Sequence, residues 1–244
     1  MRSGSRPPEQ HSSRRGWFPF AIASIFFGLF FLLAHEVVFE HDYYMVELQW
    51  MEALAMHRTE MLTDALLWVS RAHDGIIASL IIVVLTMQIY RRRWYQLRFL
   101  LILGPGVMLF SWLAKHVFQR PRPQIMDALV SAHGYGFPSG HTITAAATAA
   151  MLIHFTWYET TSRRRRGVVV VFAVSLALVA GFSRVYLGVH YPSDVLASLL
   201  EVVAWSCLCL AMDGNRSIDL RTQNVAARER HGLKRLGIPD GSNS

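Results

Sequence analysis

The stretch "GFPSGHTITAAATAAM", residues 136–151, sets a Pro-Ser-Gly turn and a histidine at the head of an apolar, helix-forming run. Exposed backbone polar groups and an ionisable ring are costly in hydrocarbon. The pattern therefore predicts a helix that starts at a polar surface and runs from there into an apolar interior.

The rest of the chain agrees. Of 244 residues, 52% are hydrophobic and 17% charged, and the mean hydropathy is +0.27. Lys and Arg nevertheless outnumber Asp and Glu by 24 to 17. A basic chain with several long apolar runs reads as a multi-span membrane protein, and the same runs argue against a nucleic-acid binder. Runs of bilayer length lie near residues 17–39, 74–90, 97–118, 141–158, 167–183 and 195–212. The second is expected to extend backwards through "LTDALLWVS", and Pro105 is expected to kink the third. Between His41 and Asp74, Trp50, Leu54 and Met61 alternate with acids, as in an amphipathic interfacial helix. The first apolar run lacks a small-residue cleavage site and is read as an uncleaved span. Cys207 and Cys209 are read as inert packing residues.

The expected fold class is all-α, a six-helix transmembrane bundle over 17–212 between polar tails at 1–16 and 213–244. Eighteen of the 24 cations fall in the two tails, the loop at 91–98 and the loop at 163–166. The positive-inside rule makes that side cytoplasmic, with both termini on it. The remaining six are Arg58, Arg71, Lys115, Arg120, Arg122 and Arg184. Four of these occupy "KHVFQRPRP" (115–123) and "SRVYLGVHYPSD" (183–194), on the face where "PSGH" (138–141) opens its helix.

Those three segments contain the parts of a phosphoryl-transfer site. Lys115, Arg122 and Arg184 form a cationic cradle, and guanidinium forks match phosphate oxygens. Ser139 and Gly140 stand at a helix start, where backbone N–H groups receive anions. His141 and His190 are a candidate acid and nucleophile, and Asp194, four residues after His190, is placed to fix its tautomer. The acidic residues on this side show no metal-ligand spacing, so catalysis is expected to need no metal and no cofactor. Glu201 and His154, deep in apolar runs, are expected to satisfy themselves by internal hydrogen bonds.

Taken together, Lys115-(six residues)-Arg122-Pro123, then Pro138-Ser139-Gly140-His141, then Ser183-Arg184-(five residues)-His190-(three residues)-Asp194 resemble the signature of the type 2 phosphatidic acid phosphatase (lipid phosphate phosphatase) superfamily, in its bacterial membrane-bound branch. The resemblance covers about residues 97–212. It implies His190 as a nucleophile forming a phosphohistidine, Asp194 as its orienter and His141 as the acid that protonates the departing lipid oxygen. It implies Lys115, Arg122, Ser139, Gly140 and Arg184 as the phosphate-binding set. Arg120 lies outside the signature and is expected merely to flank the headgroups. The implied protein is a metal-independent hydrolase of the bacterial inner membrane, with its site on the extracytoplasmic side. Its partners would be a lipid phosphate substrate and membrane lipids, with no nucleic acid. Undecaprenyl diphosphate is the first substrate expectation, ahead of phosphatidylglycerophosphate, phosphatidate and a lipid A phosphate. A lipid phosphotransferase shares the same phosphoenzyme. A vanadate-dependent haloperoxidase shares the anion cradle but is soluble, and a pure lipid binder needs neither acid nor nucleophile.

Overall fold

The structure, a computed structural model, describes residues 14–39, 41–124 and 128–212. The C-terminal tail from residue 213 and all but the last residues of the expected N-terminal tail lie outside them. Among the described residues there are seven helices: α1 (Arg14–Phe39), α2 (His41–Met56), α3 (Glu60–Tyr90), α4 (Trp94–Phe118), α5 (Gly140–Glu159), α6 (Arg163–Tyr186) and α7 (Pro192–Met212).

Five of them, α1, α3, α4, α6 and α7, are long and apolar enough to cross a membrane. Large apolar side chains cover their outer faces, among them Phe31 and Leu32 of α1, Val83 of α3, Leu109 of α4 and Val171 of α6. Such a surface is at home in hydrocarbon and not in water. The protein is a multi-pass integral membrane protein of all-α class.

The expected span at 141–158 is α5, which forms over the anticipated residues but is less apolar than the other five. Its position explains the difference. α5 packs against α3, α4 and α6 and buries Thr142, Ile143, Ala145, Ala146, Thr148 and Ala149. A helix enclosed by other helices is not selected for lipid solubility, and its small residues let its neighbours approach closely. The central core joins Phe99, Leu103 and Val107 of α4 to Ile143 and Ala146 of α5, Ala177 of α6 and Val202 of α7. α6 and α7 pack tightly at Gly181 of α6, where an added Cβ would sit 2.6 Å from Val195 Cγ1 of α7.

The stretch between His41 and Asp74 holds two helices rather than one interfacial segment. α2 ends at Met56, and α3 begins at Glu60 and absorbs "LTDALLWVS" as anticipated. At 31 residues α3 is about 46 Å long, well beyond a hydrocarbon core of about 30 Å. α2 shows Met45, Val46 and Trp50 outward while burying Glu47 and Met51. α4 runs unbroken through Pro105, and the Trp205 ring of α7 packs on the neighbouring Gly106.

The ends of the bundle differ in kind. At one end, Arg91 and Arg93 of the α3–α4 connection bond Glu159 at the end of α5, beside the Arg163–Arg166 run that opens α6. At the other, the end of α4, the start of α5, the end of α6 and the start of α7 meet, and α2 lies against them through Glu47.

Candidate active site

All eight residues picked out by the sequence pattern stand at this second end. Lys115 occupies the last turn of α4 and Arg122 the following loop. Ser139 is the N-cap of α5, Gly140 and His141 are its first residues, and Arg184 lies in the last turn of α6. His190 follows in a tight connection, and Asp194 lies in the first turn of α7. The connection depends on Gly188, whose φ of +84° is in the left-handed region that other residues rarely adopt.

The geometry around His190 fixes its protonation pattern. Its Nδ1 lies 3.3 Å from Asp194 Oδ2, and its Nε2 lies 3.0 Å from Arg122 Nη1. A guanidinium only donates, so Nε2 is the acceptor and carries the lone pair. The proton therefore sits on Nδ1, where it is donated to the carboxylate. Burial holds this imidazole below the ordinary histidine value, with the bond to Asp194 pulling the other way. The result is a neutral ring with an unprotonated nitrogen facing a cation.

Arg122 is aimed by backbone carbonyls. Nε donates to Gly134 O, Nη2 to His133 O and Nη1 also to Val189 O, at 3.0, 3.1 and 3.1 Å. Lys115 Nζ donates to Pro138 O at 2.6 Å and to Tyr135 O at 3.2 Å. Arg184 Nη1 donates to Ser70 Oγ of α3 at 2.5 Å. Both the lysine and Arg122 thus grip the connection that leads into the Phe137–Pro138 cis peptide and the N-terminus of α5.

Ser139 differs from its sequence-based expectation. Its N–H is directed to Ser198 Oγ of α7 at 2.9 Å and to Asp194 O at 3.3 Å, while its hydroxyl accepts from Thr142. It ties α5 to α7 and makes no side-chain cap. The first intrahelical bond is Ile143 N–H to Ser139 O, so the amides of Gly140, His141 and Thr142 precede the helix ladder. Those are the groups a helix N-terminus presents to an anion.

Arg120, expected to flank headgroups, is instead buried, with 4% of its surface exposed. The structure corrects that expectation. Its Nη1 donates to Asp194 Oδ1 at 2.6 Å and to Ser193 Oγ at 2.7 Å, and its Nη2 donates to Glu47 Oε2 at 2.7 Å. Its guanidinium lies 4.2 Å from the centre of the Tyr191 ring. Glu47 also accepts from the Ser193 N–H at 2.7 Å and the Ser193 hydroxyl at 2.9 Å. Asp194 is held on all sides, by Arg120 at Oδ1 and by His190 and the Tyr191 N–H at Oδ2. Burial opposes the charge on Arg120, but Asp194 and Glu47 more than offset it and raise its pKa.

Glu47, Ser70, His73 and Ser198 were not singled out from the sequence. Ser70 and His73 left a trace, being polar residues three apart in the apolar run "LLWVSRAHDG", hence on one helix face. Glu47 left none. Two other expectations also change. Both carboxylate oxygens of Glu201 and Nε2 of His154 are buried without a hydrogen-bond partner among the described residues, and the His154 ring lies flat on Phe99 with centroids 3.8 Å apart. Cys207 and Cys209 are free thiols.

The PAP2 superfamily profile matches residues 94–218, which include every residue of the three-part signature. The chain belongs to the PAP2 superfamily. Its similar proteins include phosphatidylglycerophosphatase B of Bacillus subtilis, 32% identical over 51% of this chain and 61% of that protein. Undecaprenyl-diphosphatase BcrC of the same organism is 33% identical over 42% of this chain and 50% of that one. The matched region thus spans roughly half to three-fifths of these relatives' length. In fold, this PAP2 chain is similar to the crystal structure of a transmembrane PAP2-type phosphatidylglycerolphosphate phosphatase from B. subtilis. The TM-score is 0.70 at 24% identity, covering 82% of this chain and 97% of that one. It is also similar to Aquifex aeolicus LpxE, with a TM-score of 0.54 at 20% identity over 67% of this chain and 93% of that one.

Proposed function

We propose that this PAP2 protein is a lipid phosphatase that works through a phosphohistidine on His190. The observation that carries the reading is the His190 tautomer: Nε2 bears its lone pair beside Arg122, while Nδ1–H is anchored on a carboxylate. In the first step, Nε2 forms a bond to phosphorus as the bond from phosphorus to the leaving oxygen breaks. His141 gives that oxygen its proton. In the second step, water attacks phosphorus, His141 takes a proton from it, and the P–N bond breaks to release phosphate. Lys115, Arg122 and Arg184 hold the phosphoryl oxygens, with the leading amides of α5, and stabilise the charge that builds on them. Asp194 stabilises the imidazolium character that His190 acquires. No metal is needed in this scheme, because three cationic side chains take the place a cation would fill.

The substrate proposed is a lipid phosphate or diphosphate, with undecaprenyl diphosphate first. Relatives named for undecaprenyl, dolichyl and phosphatidylglycerol phosphates support a lipid-linked phosphate. The cation-rich end of the bundle is proposed to face the cytoplasm of a bacterial cell, with both termini, and the site to face the opposite side.

The test is phosphate release by the detergent-purified protein from undecaprenyl diphosphate, phosphatidylglycerophosphate, phosphatidate and lipid A, with EDTA present. The expected result is release that EDTA leaves within about twofold of its rate without chelator, fastest with one lipid of the panel. Loss of release on chelation, restored by a divalent cation, would show that the cradle needs a metal.

A pH prediction follows from His190. The nucleophile is its neutral form, and its pKa lies below the ordinary 6.5. The neutral form therefore predominates at pH 6.5, and kcat/KM falls as pH drops through the lowered value. The acid limb is expected below pH 6.5, at the same place for two substrates whose own phosphates ionise differently. A limb that moves with the substrate, or that lies above 6.5, removes His190 as its origin.

A further inference from the structure

The buried face of α3 carries Leu66, His73, Ile77, Val84 and Gln88, and the His73 imidazole stands between two apolar residues on it. His73 is 5% exposed. Its ring stacks on that of His141 with centroids 4.6 Å apart and planes at 27°. Its Nε2 lies 2.8 Å from Thr144 Oγ1. The Thr144 hydroxyl is placed to donate its single hydrogen to the carbonyls of Gly140 and His141, at 3.2 and 3.1 Å. Towards His73 it is then an acceptor, so Nε2 of His73 bears the hydrogen. The ring of His73 is thus pinned to the first turn of α5, the same turn that carries His141, and it lies along one face of that residue's ring.

We propose that His73 is a positioning residue for His141, holding its imidazole in the orientation from which it protonates the leaving oxygen. The proposal rests on the reading of His141 as the acid. Two properties are needed at position 73, a flat ring to bound the stack and an N–H to reach Thr144. Leucine and isoleucine, the residues on either side of it on this face, offer neither. Ser70, one turn earlier on the same face, holds Arg184 in the same way. α3 therefore supports two signature residues from behind while contributing none of its own.

A general acid matters most when the leaving group is a poor one. A lipid alkoxide needs the proton as the P–O bond breaks, whereas p-nitrophenolate leaves as a stable anion. The experiment measures kcat and KM for the parent, His73→Ala, His73→Phe and His141→Ala with a lipid monophosphate and with p-nitrophenyl phosphate. The expected result for His73→Ala is a loss of about 10- to 100-fold in kcat/KM on the lipid, a quantity that ends at departure of the leaving group and so leaves out the later step in which His141 acts as base. On p-nitrophenyl phosphate the loss in kcat/KM is expected within about threefold, which also shows that the site is folded. His73→Phe, which keeps a stacking ring without the N–H, is expected to fall between parent and alanine. In a His141→Ala background, His73→Ala is expected to add no further selective loss. Equal losses on both substrates, or parental rates on both, overturn the role of His73. If His141→Ala itself shows no selectivity for the poor leaving group, the acid assignment fails instead, and the two failures are thereby told apart.

Discussion

His190→Ala is expected to lower phosphate release by at least about 10³-fold on every lipid tested, because it removes the atom to which phosphorus bonds. The loss should appear in kcat, since Lys115, Arg122 and Arg184 still hold the phosphate. A direct reading comes from quenching the enzyme in alkaline SDS within one turnover of a phosphorus-32 lipid. The parent should retain label that is stable in alkali and labile in acid, as a phosphoramidate is, and His190→Ala should retain none. Asp194→Asn should leave the ring in place but lose the carboxylate that fixes its tautomer, with a fall of about 10³- to 10⁴-fold. Label retained by His190→Ala would place the nucleophile elsewhere and end this reading of the site.

The second large effect is expected at Arg120, which touches Asp194 and Glu47 and, through Asp194, positions His190. Arg120→Met would leave two buried carboxylates without their cation. Breaking a buried pair on one side costs about 3–5 kcal/mol, the larger part being the charge left behind. In a chain of this size that corresponds to a fall on the order of 10 °C in Tm in detergent. Activity should fall with it, because Asp194 Oδ1 is no longer anchored. Pairing Arg120→Met with Glu47→Gln should recover part of the stability, since one orphaned charge is then gone, but not the activity. A single Arg120→Met that melts within about 2 °C of the parent would show that solvent reaches the network.

Much of this molecule is legible in the chain itself. Apolar runs of bilayer length mark the helices because lipid forces every backbone polar group to be satisfied within the segment. The reading worked for α1, α3, α4, α6 and α7 for that reason. It also located α5, where the polarity of "HTITAAATAAM" reflects contact with other helices and not with lipid. The signature residues were legible because phosphate chemistry demands particular groups, and because two of the three segments keep their spacing within one turn or one short connection.

Residues acting at long range were not. Arg120 reads as one more loop arginine until α2 brings Glu47 to it across 73 positions of chain. His73 reads as a polar interruption of a span until α5 lays His141 against it. Ser139 reads as a helix-start residue with its N–H open to an anion, yet that N–H is used by Ser198, 59 residues on. By itself the sequence determined the helices, the membrane and the family signature, because each depends on composition and local spacing. Only the tertiary structure decided which side chains hold those groups in place. Such contacts join helices far apart in the chain, and the sequence pattern of one helix does not specify the partner that packing brings to it.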